Sequence, residues 1–125
     1  MSIQHDQKPD GPLPFMSDDD LAVSVASFER TGMVGAFNRY RAVALDTEES
    51  ADIVGALVSQ PSCFVGGAHD VVRGMIPGAD MFADPGASCT DFRGSTIIDG
   101  VGHWVQQEAP VATNAALEAS LKSLP

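Results

Sequence analysis

Residues 94 to 110 read Gly94-Ser95-Thr96-Ile97-Ile98-Asp99-Gly100-Val101-Gly102-His103-Trp104-Val105-Gln106-Gln107-Glu108-Ala109-Pro110. The first seven place β-branched residues between glycines, the pattern of a short buried strand. A glycine-permitted turn follows and carries a histidine. Pro110 then stands where a fixed φ and a missing N–H suit the first turn of a helix, whose apolar side would be Leu117, Leu121 and Leu124. Strand, turn and helix in that order form the unit of α/β architecture, and open α/β sheets gather their ligands at the carboxyl edge where His103 falls.

Working upstream, Cys63-Phe64-Val65 follows Pro61 and is closed by Gly66-Gly67. It reads as a second apolar strand buried on both faces and parallel to the first. Between Val72 and Arg93, Pro77, Gly78, Pro85 and Gly86 punctuate the chain, so only one or two helical turns are expected there. Asp46-Thr47-Glu48-Glu49 reads as a helix start, with Ile53, Val54, Leu57 and Val58 on one side and Pro61 at the end. A further helix is expected over about Ser17 to Arg30. Ser17 supplies its N-cap, the carboxylates of Asp18, Asp19 and Asp20 favour its first turn, and Leu21, Val25 and Phe28 form its apolar side. That acidic triplet is better read as capping and solvated surface than as a metal site. Thr31-Gly32 breaks the pattern, and Met33, Phe37, Tyr40 and Arg41 resume it in a second short helix of a hairpin. Residues 1 to 14, with three prolines, form a flexible tail or the loop leading into a lid.

The bulk numbers narrow the function classes. A chain of 125 residues has the size of one domain, and a fold of that length can bury roughly two-thirds of its unfolded surface. Seventeen acidic against seven basic residues give a formal net charge of −10, which repels a phosphate backbone and excludes nucleic acid as a partner. No run of 18 apolar residues offers a membrane span, and the polar start of the chain lacks the apolar centre of a signal peptide. The expectation is a cytoplasmic chain without a membrane partner. Cys63 and Cys89 fit neither a disulfide framework nor a metal spacing and are expected as small buried hydrophobes. With no phosphate-binding glycine loop either, no metal and no organic cofactor is implied.

Asp70 lies just past the end of the first strand and His103 just past the end of the second. Parallel neighbours would bring both to one edge. There a carboxylate on one imidazole nitrogen holds the tautomer and leaves the other nitrogen to take a proton, so the pair would be a general base with its orienter. The competing reading keeps Asp70 as the cap of a following helix and His103 as a structural residue. Tyr40, the one tyrosine, reads by its spacing as a packing residue of an amphipathic helix. Arg39 and His69 read as surface, and Trp104 as packing under the histidine turn.

Four segments in order carry a family resemblance: Phe28-Glu29-Arg30-Thr31-Gly32, Asn38-Arg39-Tyr40-Arg41, the turn from Gly66 to Asp70, and Gly102-His103-Trp104 with its trailing Gln107, Glu108 and Pro110. From about Leu13 to Leu124 the chain resembles the epoxide hydrolases of the α/β-hydrolase fold. The resemblance implies the C-terminal portion of that fold, with lid helices followed by the last two parallel strands and their flanking helices. The layout would be residues 1–14 as tail or connecting loop, 15–45 as a partial lid, and 46–125 as the C-terminal part of the core. In that family an aspartate opens the epoxide by forming an ester, lid tyrosines bond the epoxide oxygen, and a histidine and acid activate the water that cleaves the ester. By motif position Tyr40 looks like a lid tyrosine, His103 like the base and Asp70 like its acid. A phenol suits the first role because it is neutral near pH 7 and can donate to a developing alkoxide.

The departures matter as much. The family's second lid tyrosine is missing, and Arg39 stands where tryptophan is common. Neither a Gly-x-nucleophile-x-Gly turn nor an upstream His-Gly oxyanion segment occurs in these residues. The resemblance therefore implies a fragment with no epoxide hydrolysis of its own. A small apolar epoxide would be the substrate once completed, and an open strand edge would seek a complementing chain or a second copy. Two other readings stay open. One is a non-catalytic remnant binding an apolar small molecule or a protein partner. The other is dehalogenase or esterase chemistry, against which the Tyr40 segment argues.

Overall fold

The computed structural model describes residues 14–124. The expected tail at residues 1–14 lies, apart from Pro14, outside them. The chain divides into two compact units, the first ending at Val43 and the second running from Ala44.

The first unit holds α1 (Asp18–Thr31) and α2 (Val34–Arg41). Ser17 begins α1 as the sequence implies. Its hydroxyl accepts from the Asp20 N–H at 3.1 Å while the Asp20 carboxylate accepts from the Ser17 N–H at 3.1 Å, a reciprocal capping box. The acidic triplet is thus the first turn of a helix. Neither helix buries a residue, and Leu21, Val25 and Phe28 on the apolar side of α1 remain exposed.

From the boundary residue Val43 into the second unit, α3 (Val43–Glu49) starts earlier and ends sooner than expected, so Asp46 to Glu49 form its body rather than its start. A three-residue 3-10 helix (Ala51–Ile53) follows, and Gly55 turns the chain with φ 82°. Ile53, Val54, Leu57 and Val58 therefore do not share a helix face. Val58 instead makes a parallel bridge to Cys89, donating to Ser88 O at 2.7 Å and accepting from the Thr90 N–H at 2.9 Å.

Strand β1 (Ser62–Gly67) pairs in parallel with β2 (Phe92–Ile98), as the strand signals predict. Ser62 opposes Phe92 but Phe64 opposes Ser95, so β2 carries one extra residue at Arg93-Gly94. Gly94 takes the φ of 122° that such a bulge needs. The crossover between the strands holds one short 3-10 helix (Val71–Gly74) and then successive tight turns over residues 76–89, in line with the proline and glycine punctuation. After β2 come the single turn of α4 (Val105–Glu108) and α5 (Pro110–Lys122), opened by its proline. Helix α5 packs on both strands, and α4 packs on β1.

Burial is shallower than the sequence implies. Among the described residues no side chain is fully buried, and Val101 is the single buried hydrophobic residue, beside Asp70 and Thr113. Strand β2 is mostly exposed and only Gly66 and Gly67 of β1 are buried, because helices cover just part of a two-stranded sheet. Cys63 is exposed and Cys89 partly so, correcting the expectation of buried thiols; both are free. On α5 the expected apolar side is the outer one, with Leu117 and Leu121 exposed, and Leu124 lies past the helix end and is exposed too. Thr113, Ala116 and Ser120 turn inward instead. Small residues let the helix approach the sheet closely, which leucines would prevent.

One contact positions everything at the carboxyl edge. A Cβ placed on Gly67 would lie 2.0 Å from the Gly102 carbonyl oxygen and 2.3 Å from that of Val101. Both partners are backbone, so no rotamer change relieves the clash. Gly67→Ala is expected to destabilise the chain by about 1–3 kcal/mol, the usual cost of overpacking, read as a lower urea midpoint at unchanged slope. An unchanged midpoint would show that the 101–102 backbone yields freely.

Candidate active site

The turns leaving the two strands are sewn together. The Ala68 N–H donates to Ile98 O at 2.9 Å and the His69 N–H to Val101 O at 2.8 Å, while the Asp70 N–H folds back on Gly67 O at 3.2 Å. These bonds bring Asp70, three residues past β1, beside His103, five residues past β2. Asp70 Oδ2 lies 2.9 Å from His103 Nδ1, and Oδ1 accepts from the Val72 N–H at 2.8 Å. The cap and the imidazole contact that the sequence set as alternatives are therefore both made, one by each carboxylate oxygen. Its side chain is 6% exposed and that of His103 50%. Burial raises the Asp70 carboxyl pKa, but the Val72 N–H and the His103 ring outweigh it and hold the group below its ordinary value.

With Nδ1 directed at Asp70, Nε2 is the ring nitrogen left to exchange a proton. The pair borders a cavity of about 320 Å³ lined on its apolar side by Phe64, Val65, Val72, Phe82 and Val105. Phe64 and Phe82 meet edge to face with centroids 4.8 Å apart, and Trp104 stands edge-on to the His103 ring at 5.3 Å. Trp104 is 56% exposed, so it flanks the imidazole more than it packs beneath the turn. A partly buried carboxylate on one imidazole nitrogen beside an apolar hollow can deprotonate a water and hold the resulting imidazolium.

Tyr40 lies on α2 in the first unit and is 78% exposed, and Arg39 and Arg41 share that helix. His69 is exposed, as expected of a surface residue. Among the described residues no group of three or more His, Cys, Asp or Glu could hold a metal ion. No described helix is long and apolar enough to cross a membrane.

Two residues at the edge hold roles that the sequence reading did not assign. Arg73 pairs with Asp80, donates to Ala68 O at 3.2 Å and lies over the Phe82 ring, tying the crossover to the Asp70 turn. The hydrogen bonds from Arg73 and from the Phe82 N–H lower the Asp80 carboxyl to about 2. Glu108 accepts from the Gly102 N–H at 2.7 Å and from the Trp104 N–H at 3.0 Å, the residues on either side of His103. Its sequence signals are its place among the residues trailing Gly102-His103-Trp104 and its position at the end of the short helix after the histidine turn. Nothing in the pattern around Arg73 marks that residue.

No family model matches the chain. Over 103 residues it is 36% identical to epoxide hydrolase B of Mycobacterium tuberculosis, covering 82% of this chain and 28% of that protein. Its fold is similar to the crystal structure of epoxide hydrolase A from Mycobacterium thermoresistibile, with a TM-score of 0.82 at 32% identity, covering 95% of this chain and 36% of that one. An epoxide hydrolase from an endophytic Streptomyces is 42% identical with a TM-score of 0.80, covering 91% and 34%. The chain thus spans about a third of the length of the proteins it matches.

The lowered Asp70 pKa carries a sign. A carboxyl depressed on folding adds stability that is complete above its unfolded value and is lost as pH falls through its folded value. A carbon-13 NMR titration of Asp70 is expected to give a midpoint below 3.8, and a midpoint at or above that value would contradict the two hydrogen bonds. Asp70→Asn is expected to lower stability at pH 7 by roughly 1–3 kcal/mol, because it weakens bonds made at a buried position.

Proposed function

The chain belongs to the epoxide hydrolases of the α/β-hydrolase fold, of which it carries a C-terminal part, and from that premise we propose that it holds the water-activating half of an epoxide-opening hydrolase. The observation that carries the reading is the 2.9 Å contact of Asp70 Oδ2 with His103 Nδ1 at the carboxyl edge of a parallel pair, beside an apolar hollow. His103 Nε2 takes a proton from water. The hydroxide attacks the carbonyl of an ester formed between a carboxylate and the opened epoxide, the acyl C–O bond breaks, and the proton returns to the departing alkoxide to give the diol. Asp70 remains ionised throughout and stabilises the imidazolium. Tyr40 is the phenol that donates to the epoxide oxygen as it becomes an alkoxide.

The carboxylate that forms the ester has no Gly-x-nucleophile-x-Gly setting in this sequence. It comes from outside these residues, and these 125 residues alone have no turnover. The substrate class is a small apolar epoxide, in keeping with the hollow beside His103. The same proposal keeps the chain in the cytoplasm and away from nucleic acid, the latter on its formal net charge of −10.

A second reading has its own observation. Leu21, Val25, Phe28 and Phe37 of the first unit remain exposed, as suits a remnant that binds an apolar molecule or a protein partner without chemistry. Binding that survives substitution of both His103 and Asp70, with no hydrolysis under any complementation, would favour it.

The deciding experiment puts residues 14–124 in place of the matching third of an epoxide hydrolase of known structure and follows styrene oxide hydrolysis. The chimera is expected to turn over and the isolated chain is not. His103→Gln in the chimera should lower turnover by roughly 1,000-fold or more, with the ester accumulating as a mass increase on the protein. Turnover by the isolated chain, or normal turnover by the His103→Gln chimera, would overturn the proposal.

A further inference from the structure

His103 is held from two sides. Asp70 fixes the ring at Nδ1, but a ring is only as well placed as the backbone that carries it, and His103 sits in a glycine-rich turn between β2 and α4. One carboxylate spans that turn. Glu108 Oε2 accepts from the Gly102 N–H at 2.7 Å and Oε1 from the Trp104 N–H at 3.0 Å, so the two oxygens grip the peptide groups that bracket His103. The Glu108 N–H in turn donates to Trp104 O at 2.8 Å, closing a ring between the two residues. Gly102 makes room for this grip, since a Cβ there would come within 3.0 and 3.1 Å of the two carboxylate oxygens.

The grip is anchored. Val105 O accepts from the Ala109 N–H at 2.9 Å and from the buried Thr113 hydroxyl at 2.8 Å, which ties α4 to α5, and α5 packs on both strands. Glu108 has no bond to the imidazole, whose partner is Asp70. Its action on the ring passes through the main chain.

We propose that Glu108 is the positioning residue for His103, orienting the imidazole toward Asp70 through the amides of Gly102 and Trp104. The inference rests on the reading of His103 as the base, and it adds the carboxylate of Glu108 to that of Asp70. A carboxylate is the fitting group because it accepts two N–H donors with two equivalent oxygens. A glutamine in the same place accepts one and opposes its own NH2 to the other.

The test needs no turnover. In the full chain, the ring nitrogen-15 shifts of neutral His103 report the ratio of Nδ1–H to Nε2–H tautomer, and Asp70 favours the first. Glu108→Gln is expected to shift that ratio toward the Nε2–H form that dominates free imidazole. It should also speed hydrogen exchange at the Gly102 and Trp104 amides about tenfold, with α5 protection and far-ultraviolet circular dichroism unchanged. Glu108→Asp, which keeps both oxygens, should restore part of the wild-type ratio. Faster exchange at both amides with an unchanged tautomer ratio would reduce Glu108 to a brace for the loop and overturn the proposal. If Glu108→Gln does not fold, Gly102→Ala displaces the carboxylate without removing it, and the same two outcomes decide. A wild-type ring already in the Nε2–H form would sink the base reading itself, which an unresponsive Glu108→Gln variant would not.

Discussion

Two stretches of main chain in this molecule lie closer than a side chain permits. Gly67 ends β1 directly against the carbonyls of Val101 and Gly102, and everything else at that edge follows from the approach. The His69 N–H reaches Val101 O because nothing stands between the two turns. Val101, pressed into the same place, is the one hydrophobic side chain buried among the described residues. Asp70 and His103 meet because their turns are already bonded to each other. Here a backbone contact organises polar groups, in place of the apolar core that usually does so.

Much of the fold was legible where local chemistry decides it. Ser17 with Asp20 announces a helix start, Pro110 opens α5, and the two apolar runs bounded by glycine are the two parallel strands. The errors about burial share one cause. Apolar periodicity says which residues belong on a covered side, but not that the cover is present. The leucines of α5 and the residues of β2 read as buried, yet α5 meets the sheet through Thr113, Ala116 and Ser120, which hydropathy does not mark. The same reasoning misplaced Cys63. The third helix failed differently, because the turn at Gly55 and the bridge of Val58 to Cys89 override the spacing of Ile53, Val54, Leu57 and Val58.

At the site, the meeting of Asp70 with His103 was readable because two parallel strands deliver their exits to one edge. The division of labour within one carboxylate was not, since a cap and an orienting bond are alternatives on paper and compatible in space. The roles of Glu108 and Arg73 escaped for a related reason. The contacts by which they hold the turn are made to main-chain atoms, which leave no residue type to match against. Polar side chains that hold a loop by its amides and carbonyls are hard to see from sequence because the backbone is everywhere the same.

The crossover shows where this fold can absorb changes of length. It is fastened at two places, by Arg73 to Asp80 near its start and by the Val58 bridge to Cys89 near its end. Between these fastenings and past Phe82, which packs on Phe64, the main-chain hydrogen bonds of residues 83–87 are local turns only. An insertion or deletion there changes a surface loop and leaves both strand exits where they are. A single residue added between Gly67 and Asp70, or between Ile98 and His103, swings one partner out of reach of the other. Related chains should therefore differ in length along the crossover while keeping two short intervals, of three and five residues, unchanged from strand end to paired side chain.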